Sequence, residues 1–481
     1  MTELSRPTRE HADALEELVD RLGADCAAAV HPEEIAALLE SEGLNDRRIR
    51  ERYGYADSFA LAEELFGRVP RAHHRAPAPD PGAGSRTELL RCLVRGIVFT
   101  LPALAFVLGS PFLSGPPGTR GLPAGTFTLL AGALCGWAWS QALSHRAHFW
   151  LGLGGPPGRR AAARALARGA AAGVAASVTV AGGVSLLTGG APWPVWVFCV
   201  GQAGYLACAT VLLVLGHERA LLAALLPVTV GGVLSALRDD LPEAWRAALL
   251  GASLAAVLVL AVLTVLAELG ARDEESAPRY PSLSPPLWSS VPYGLLGLGV
   301  GVLVMLAILA DVLRDAALGS IAAPTALALS LSMGPAEYLL GRFRHRTLGR
   351  LRDLTGFAGF RTTVAVELAR GMLCYLALLL PLAWLGSLAW PYAPGAEPGR
   401  LLLLLLLGAT LWAALLLQAF GRIWAAVTAC GLAAGAELAG LLLPAFAGVD
   451  ALTVQLAVCG ATALVLPPLA WALLGRATAH R

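Results

Sequence analysis

Apolar runs of about 17–25 residues recur along most of this chain, after a polar N-terminal stretch. A helix of that length crosses the hydrocarbon core of a bilayer, and it satisfies its own backbone hydrogen bonds, as lipid requires. We place twelve runs, at residues 96–113, 126–143, 170–189, 193–215, 221–237, 247–269, 293–313, 320–340, 364–388, 401–420, 423–443 and 451–474. The sequence therefore predicts an all-α integral membrane protein with twelve transmembrane helices.

The composition agrees with this fold class. Charged residues make up only 15% of the 481 residues, whereas a soluble domain has about 25%. This excludes most soluble enzymes and excludes nucleic-acid binding over most of the length. The eight cysteines form no Cys-x-x-Cys pair, so we expect no disulfide framework and no metal site. We also expect no cofactor.

The arginines predict how the chain is oriented. All 36 basic residues are arginine, and 25 of them follow residue 88. If the N-terminus is cytoplasmic, twenty of these 25 lie on the cytoplasmic side and five on the other. Such an excess is the positive-inside bias of membrane proteins. We therefore predict a multi-pass protein of the inner or plasma membrane with both termini in the cytoplasm.

The N-terminal stretch has a different character. Residues 1–88 contain 11 arginines and 18 acidic residues, a net charge of −7. Helix-start and helix-stop signals predict four helices, over 11–28, 32–41, 46–53 and 57–66. We interpret residues 1–70 as an acidic helical cytoplasmic domain and residues 71–90 as a flexible linker. An acidic surface does not suit nucleic acid, so we expect this domain to bind a protein partner or simply to cap the chain.

Two sequence matches indicate an internal duplication. Gly136-x-Ala138 is repeated as Gly334-x-Ala336, 198 residues later, and Leu-Ala-Arg-Gly at 166–169 is repeated at 368–371, 202 residues later. In each half, the two matching strings lie on either side of an arginine-rich loop that follows the second span. The sequence predicts two six-helix bundles in the same orientation, residues 91–269 and 291–476, joined by a cytoplasmic connector at 270–290. Parallel duplicated bundles are typical of transporters.

Two six-span halves with cytoplasmic ends, and the strings Ser140-Gln141-Ala142 and Arg-Ala-Leu-Ala-Arg-Gly at 164–169, resemble the multidrug/oligosaccharidyl-lipid/polysaccharide exporter superfamily. The resemblance implies a V-shaped pair of bundles that moves an amphipathic substrate, often a lipid-linked glycan. The first span contains no acidic residue, which argues against the cation-coupled drug exporters. The polysaccharide-transporter, flippase-like branch fits best.

Acidic residues inside the spans are costly and are therefore candidates for function. Glu437 lies deepest, and we interpret it as a protonatable or headgroup-contacting group, or as a neutral acid bonded to a neighbouring helix. Glu337 follows Gly334-Pro335, where proline interrupts the helical hydrogen bonds. It marks a hinge or is a boundary carboxylate that pairs with an arginine.

The polar candidates form a second group. Arg370, its counterpart Arg168 in the first half, and Arg95 can each hold a phosphate or pyrophosphate through bidentate hydrogen bonds. The alternative is that they only anchor the chain at the cytoplasmic surface. Because Glu367 and Arg370 are three residues apart, they can pair on one helix face. Gln141 can bind sugar hydroxyls or hold helices together.

These features favour a membrane transporter or flippase that moves a lipid-linked saccharide or another amphipathic envelope precursor by alternating access. One alternative is a proton-coupled exporter of small hydrophobic compounds that uses Glu437 or Glu337. Another is a non-transporting membrane scaffold that recruits partners through its N-terminal domain. We find no nucleotide loop, metal-ligand spacing or nucleophile–base set, so we do not expect an enzyme. The expected partners are membrane lipids and the glycan substrate, without nucleic acid.

Overall fold

Helices account for nearly all of the structure, which is a computed structural model. It describes residues 9–29, 31–69, 85–116, 118, 122–238, 241–270, 286–315, 322–353, 357–389, 397–446 and 448–475. About 88% of these residues are helical and none of them lies in a strand. The chain divides into two compact units, Met1–Ser85 and Arg86–Arg481. Most of the predicted linker and connector, at 71–84 and 271–285, lies outside the described residues.

The N-terminal unit contains four short helices. These are α1 (Arg9–Ala28), α2 (Pro32–Ser41), α3 (Asp46–Tyr53) and α4 (Ser58–Arg68), and α2 and α3 have the predicted bounds. Asn45 and Asp57 cap α3 and α4 by accepting the backbone N–H three residues on, at 3.0 and 2.8 Å. Leu39, Ile49 and Leu61 are fully buried. Because burying each such side chain contributes about 1.5–3 kcal/mol, these contacts stabilise the unit.

The second unit contains the long helices. They are α5 (Ser85–Thr100), α6 (Ala103–Leu113), α7 (Thr126–Gly152), α8 (Gly155–Leu187), α9 (Trp193–Val214), α10 (Glu218–Ala224), α11 (Leu226–Leu237), α12 (Glu243–Gly270), α13 (Val291–Asp315), α14 (Ala323–Asp353), α15 (Phe357–Ala389), α16 (Pro398–Ala419), α17 (Ile423–Leu442) and α18 (Ala451–Leu474). Pro102 separates α5 from α6. The predicted span 221–237 is broken beside Pro227, where α10 and α11 meet at 47°. Proline lacks the N–H that would continue the helix.

The long helices identify a multi-pass membrane protein. In the described chain, nine helical segments are long and apolar enough to cross a membrane, or ten if α10 and α11 form one bent span. The predicted count of twelve is not reached. The two remaining helices, α7 and α14, cover most of the predicted spans 126–143 and 320–340, but polar residues such as Gln141 and Glu337 lower their apolar character.

Buried apolar side chains of the second unit form two large clusters. One draws on α5–α12 and includes Leu108, Leu166 and Val257. The other draws on α13–α18 and includes Leu407 and Trp412. We call α5–α12 the first bundle and α13–α18 the second bundle. Each bundle is packed around its own core, so contacts between the bundles form a distinct surface.

Candidate functional site

The two bundles meet along α7 and α13, at a contact that we call the Gln141 seam. Gly294 and Gly297 of α13 face Ala138 and Gln141 of α7. A methyl group added at Gly297 would lie 2.8 Å from the Gln141 Cγ, and one added at Gly294 would lie 3.3 Å from the Ala138 carbonyl oxygen. Small residues let two membrane helices approach closely. The glycines therefore permit this contact.

A second contact joins α5 to α14, and we call it the Arg95 seam. A methyl group added at Gly96 would lie 2.8 Å from the carbonyl oxygen of Leu331. That carbonyl would normally accept the N–H of residue 335, but Pro335 has none. The proline thus leaves the Leu331 carbonyl without its helical donor, on the face where the first bundle approaches.

Arg95 is the main charged link across this seam. Its Nη1 atom donates to Glu337 Oε1 and Oε2 at 3.0 and 2.8 Å, and its Nη2 atom donates to Glu218 Oε1 at 2.5 Å. Glu218 lies on α10 of the first bundle, whereas Glu337 lies on α14 of the second. One guanidinium therefore holds a carboxylate from each bundle.

Local structure explains where the two carboxylates lie. Glu218 opens α10 directly after a turn in which Gly216 has a φ of +85°. An acidic residue is favourable in the first turn of a helix, because the helix dipole is positive there. Glu218 is only 8% exposed. The side-chain exposures are 11% for Glu218, 27% for Arg95 and 34% for Glu337. The ion pair between the bundles, Arg95–Glu337, is therefore more solvated than the pair Arg95–Glu218 within the first bundle.

The Gln141 seam has a polar link of its own. The imidazole of His145 stacks on the Tyr293 ring with centroids 3.8 Å apart, and its Nδ1 atom lies 3.2 Å from the Ser290 hydroxyl. Both links lie at the end of the bundles where α5 and α13 begin and where α7 and α14 finish. Most arginines of the spanning region lie near this end, so we call it the arginine-rich end.

The structure brings three predicted site residues to the seams. Arg95 and Glu337 form an ion pair, and Gln141 contacts the second bundle. Sequence reasoning missed Glu218, because residue 218 was expected in a loop. The signal for it was an acidic residue placed immediately before a predicted span.

Glu437 lies elsewhere, within the second bundle. It is 1% exposed, and its Oε1 atom accepts a hydrogen bond from the Cys459 thiol at 3.1 Å. Its Oε2 atom has no hydrogen-bond partner among the described residues. This is the environment of a proton-binding or helix-packing acid rather than of a group at a seam.

The other two predicted residues also lie away from the seams. Arg168 is exposed on α8. Arg370 lines a small cleft between α14 and α15. Glu367 accepts a hydrogen bond from Arg346 of α14 at 3.0 Å, and the described contacts include no ion pair between Glu367 and Arg370.

The described residues contain no group of three or more His, Cys, Asp or Glu side chains placed to hold a metal ion. The arrangement instead provides charged and hydrogen-bonded contacts between the two bundles. The resemblance to the exporter superfamily stays a prediction. No protein-family model, curated protein or solved structure matches the chain.

Proposed function

We propose that this protein is a membrane transporter in which two six-helix bundles give alternating access to an amphipathic substrate, such as a lipid-linked saccharide or another envelope precursor. The observation that carries the proposal is the pair of seams. In each seam, the first helix of one bundle packs on the second helix of the other. The two seams are therefore equivalent: the contact of α5 with α14 in one corresponds to the contact of α13 with α7 in the other.

The packing inside the bundles supports a duplication. In the first bundle α7 packs on α8, α6 on α11, and α9 on α12; in the second, α14 packs on α15, α13 on α17, and α16 on α18. These are the same pairs when the helices are counted from the start of each bundle, with α5–α6 and α10–α11 taken as one segment each. Gly96 and Gly294, one from each seam, are also 198 residues apart, as are Gly136 and Gly334.

This arrangement suits alternating access. Two bundles with separate cores move as rigid bodies about a narrow contact. Opening the arginine-rich end breaks the bond from Arg95 to Glu337, while the bond from Arg95 to Glu218 stays within the first bundle. We infer that this end faces the cytoplasm, because arginine is concentrated there. Each seam contains one of the less apolar helices, α7 or α14, and their polar side chains suit contact with a polar headgroup.

Purified protein in vesicles tests the proposal. A fluorescent polyprenyl-linked saccharide is incorporated, and its exposure to an impermeant quencher is followed with time. We expect the wild type to move the lipid between leaflets faster than protein-free vesicles do. Gly334→Leu should abolish this movement, since its side chain would strike the Cys92 carbonyl. Gly435→Leu is the control, because that position faces open space. Movement at the protein-free rate would contradict the proposal.

A second function, proton-coupled export of small hydrophobic compounds, is favoured by the buried Glu437 with its unpartnered oxygen. In vesicles with an imposed pH gradient, Glu437→Gln should remove the gradient-driven part of transport and leave gradient-free exchange intact. Gradient-driven transport that is unchanged in this variant would exclude Glu437 from coupling.

A further inference from the structure

The cleft between α14 and α15 is basic and is separate from the seams. It has a volume of about 90 Å³, and its lining residues are Leu339, Arg342, Phe343, Arg346, Glu367, Arg370, Gly371 and Cys374. Three guanidinium groups and one carboxylate give this lining a net charge of +2. The carboxylate, Glu367, is bonded to Arg346. No described carboxylate pairs with Arg342 or Arg370, so both can donate to an anion.

The position of the cleft on α14 separates it from the Arg95 seam. Successive residues of an α-helix are rotated by about 100°. The nine residues from Glu337 to Arg346 therefore amount to two and a half turns, which places Arg346 on the opposite face of α14. Glu337 faces α5, whereas Arg346 faces α15. A ligand in the cleft would not occupy the contact between the bundles.

An apolar stripe on α15 continues from the cleft. Cys374 is exposed, and Leu373 and Leu378 are 68% and 39% exposed. They follow Arg370 by three, four and eight residues, so they lie along the same side of α15, on the C-terminal side of the arginine. Basic groups at the end of a span and apolar groups farther along it match the two parts of a lipid.

We propose that this cleft binds the phosphate headgroup of an anionic phospholipid, with an acyl chain lying along the stripe on α15. Arginine binds phosphate oxygens through paired, charge-assisted hydrogen bonds. Anionic lipids attract arginines at the cytoplasmic surface of a membrane. The stripe gives a lipid contacts that a soluble phosphate ion cannot make. This proposal does not depend on the transport function, since the cleft lies outside the seams.

Native mass spectrometry of the detergent-solubilised full chain tests this site. Phosphatidylglycerol and phosphatidylcholine are titrated separately, and the lipid-bound fraction is measured. We expect the wild type to prefer phosphatidylglycerol. The double variant Arg342→Gln/Arg370→Gln should bind that lipid about tenfold more weakly, because it loses two charge-assisted contacts. Arg164→Gln, an exposed arginine of α8, is the matched control and should bind like the wild type.

Glu367→Gln gives a test in the opposite direction. It removes the negative charge from the cleft and releases Arg346, so phosphatidylglycerol should bind more tightly, which a misfolded protein would not do. Equal binding of both lipids, or unchanged binding in the double variant, would overturn the site. Full displacement of the lipid by millimolar inorganic phosphate would show a phosphate-ion site and would overturn the assignment to a lipid.

Discussion

Replacing Glu337 with glutamine removes the charge that ties Arg95 to the second bundle and preserves the shape of the side chain. A hydrogen bond to a charged group contributes about 1.5–3 kcal/mol to stability. Arg95 and Glu337 have side chains 27% and 34% exposed, so solvent screening reduces their interaction to about 1–1.5 kcal/mol. Losing it should raise the population open at the arginine-rich end about five- to twelvefold.

The first bundle should keep its stability in this variant, because Arg95 still pairs with Glu218. The opening can be measured with a cysteine at Ser290 in an otherwise cysteine-free protein. Ser290 is 6% exposed and lies in the Gln141 seam, away from the mutated charge. When opening is rapid, the rate of labelling by a water-soluble maleimide follows the open population. Glu337→Gln should increase this rate about five- to twelvefold.

A matched charge at the same end provides the control. Glu268 of α12 pairs with Arg159 of α8, so this ion pair lies within the first bundle. Glu268→Gln should leave the labelling rate at Ser290→Cys unchanged. Equal labelling of the parent and the Glu337→Gln protein would refute the reasoning. So would an equal increase in the Glu268→Gln control, because the effect would then not depend on contact between the bundles.

Further expectations concern backbone contact, a buried charge and a helix cap. Gly334→Leu should hold the arginine-rich end open and give rapid labelling in the same assay, whereas Gly435→Leu should label at the parental rate. Arg95→Gln should lower the free energy of unfolding, measured by thermal denaturation, by about 3–5 kcal/mol, because it leaves the buried Glu218 charge without its partner. The double variant Arg95→Gln/Glu218→Gln should recover part of this loss. At α18, a side-chain hydrogen bond from Thr453 lowers the pKa of Asp450 below its ordinary value. The cap therefore stabilises the first turn of α18 above the ordinary aspartate range near pH 4, and this stabilisation is lost as pH falls through the lowered pKa. Backbone hydrogen exchange of that turn should accelerate as the pH falls through this range. Asp450→Asn should show no such acceleration.

Much of the helical fold could be predicted from the sequence, because helix boundaries depend on local signals. Asn45 and Asp57 have the residue types that cap helices, and both act as caps in the structure. The bend beside Pro227 also has a local cause, since proline cannot complete the helix. The apolar runs predicted every membrane helix of the structure and also counted α7 and α14, which are less apolar than the other long helices because their polar residues lie at the contacts between the bundles.

The partners of the charged residues could not be predicted, because they depend on packing between distant segments. Arg95 and Glu337 were each singled out as costly charges near a membrane, but nothing local shows that they pair across 242 positions. Glu218 is brought to the same guanidinium by the turn at Gly216. For Glu367, helical spacing favoured a partner on its own helix, whereas helix packing brings Arg346 of α14 to its carboxylate.

In alternating access the two bundles move as two bodies, opening one end while closing the other. Spin labels at Arg219 and Arg344 report the arginine-rich end, and labels at Ser114 and Val449 report the far end; all four residues are exposed. Distances measured in vesicles by electron–electron resonance should change in opposite directions at the two ends. In Glu337→Gln the first distance should lengthen and the second should shorten. Distances that stay fixed at both ends, or lengthen together, would contradict alternating access.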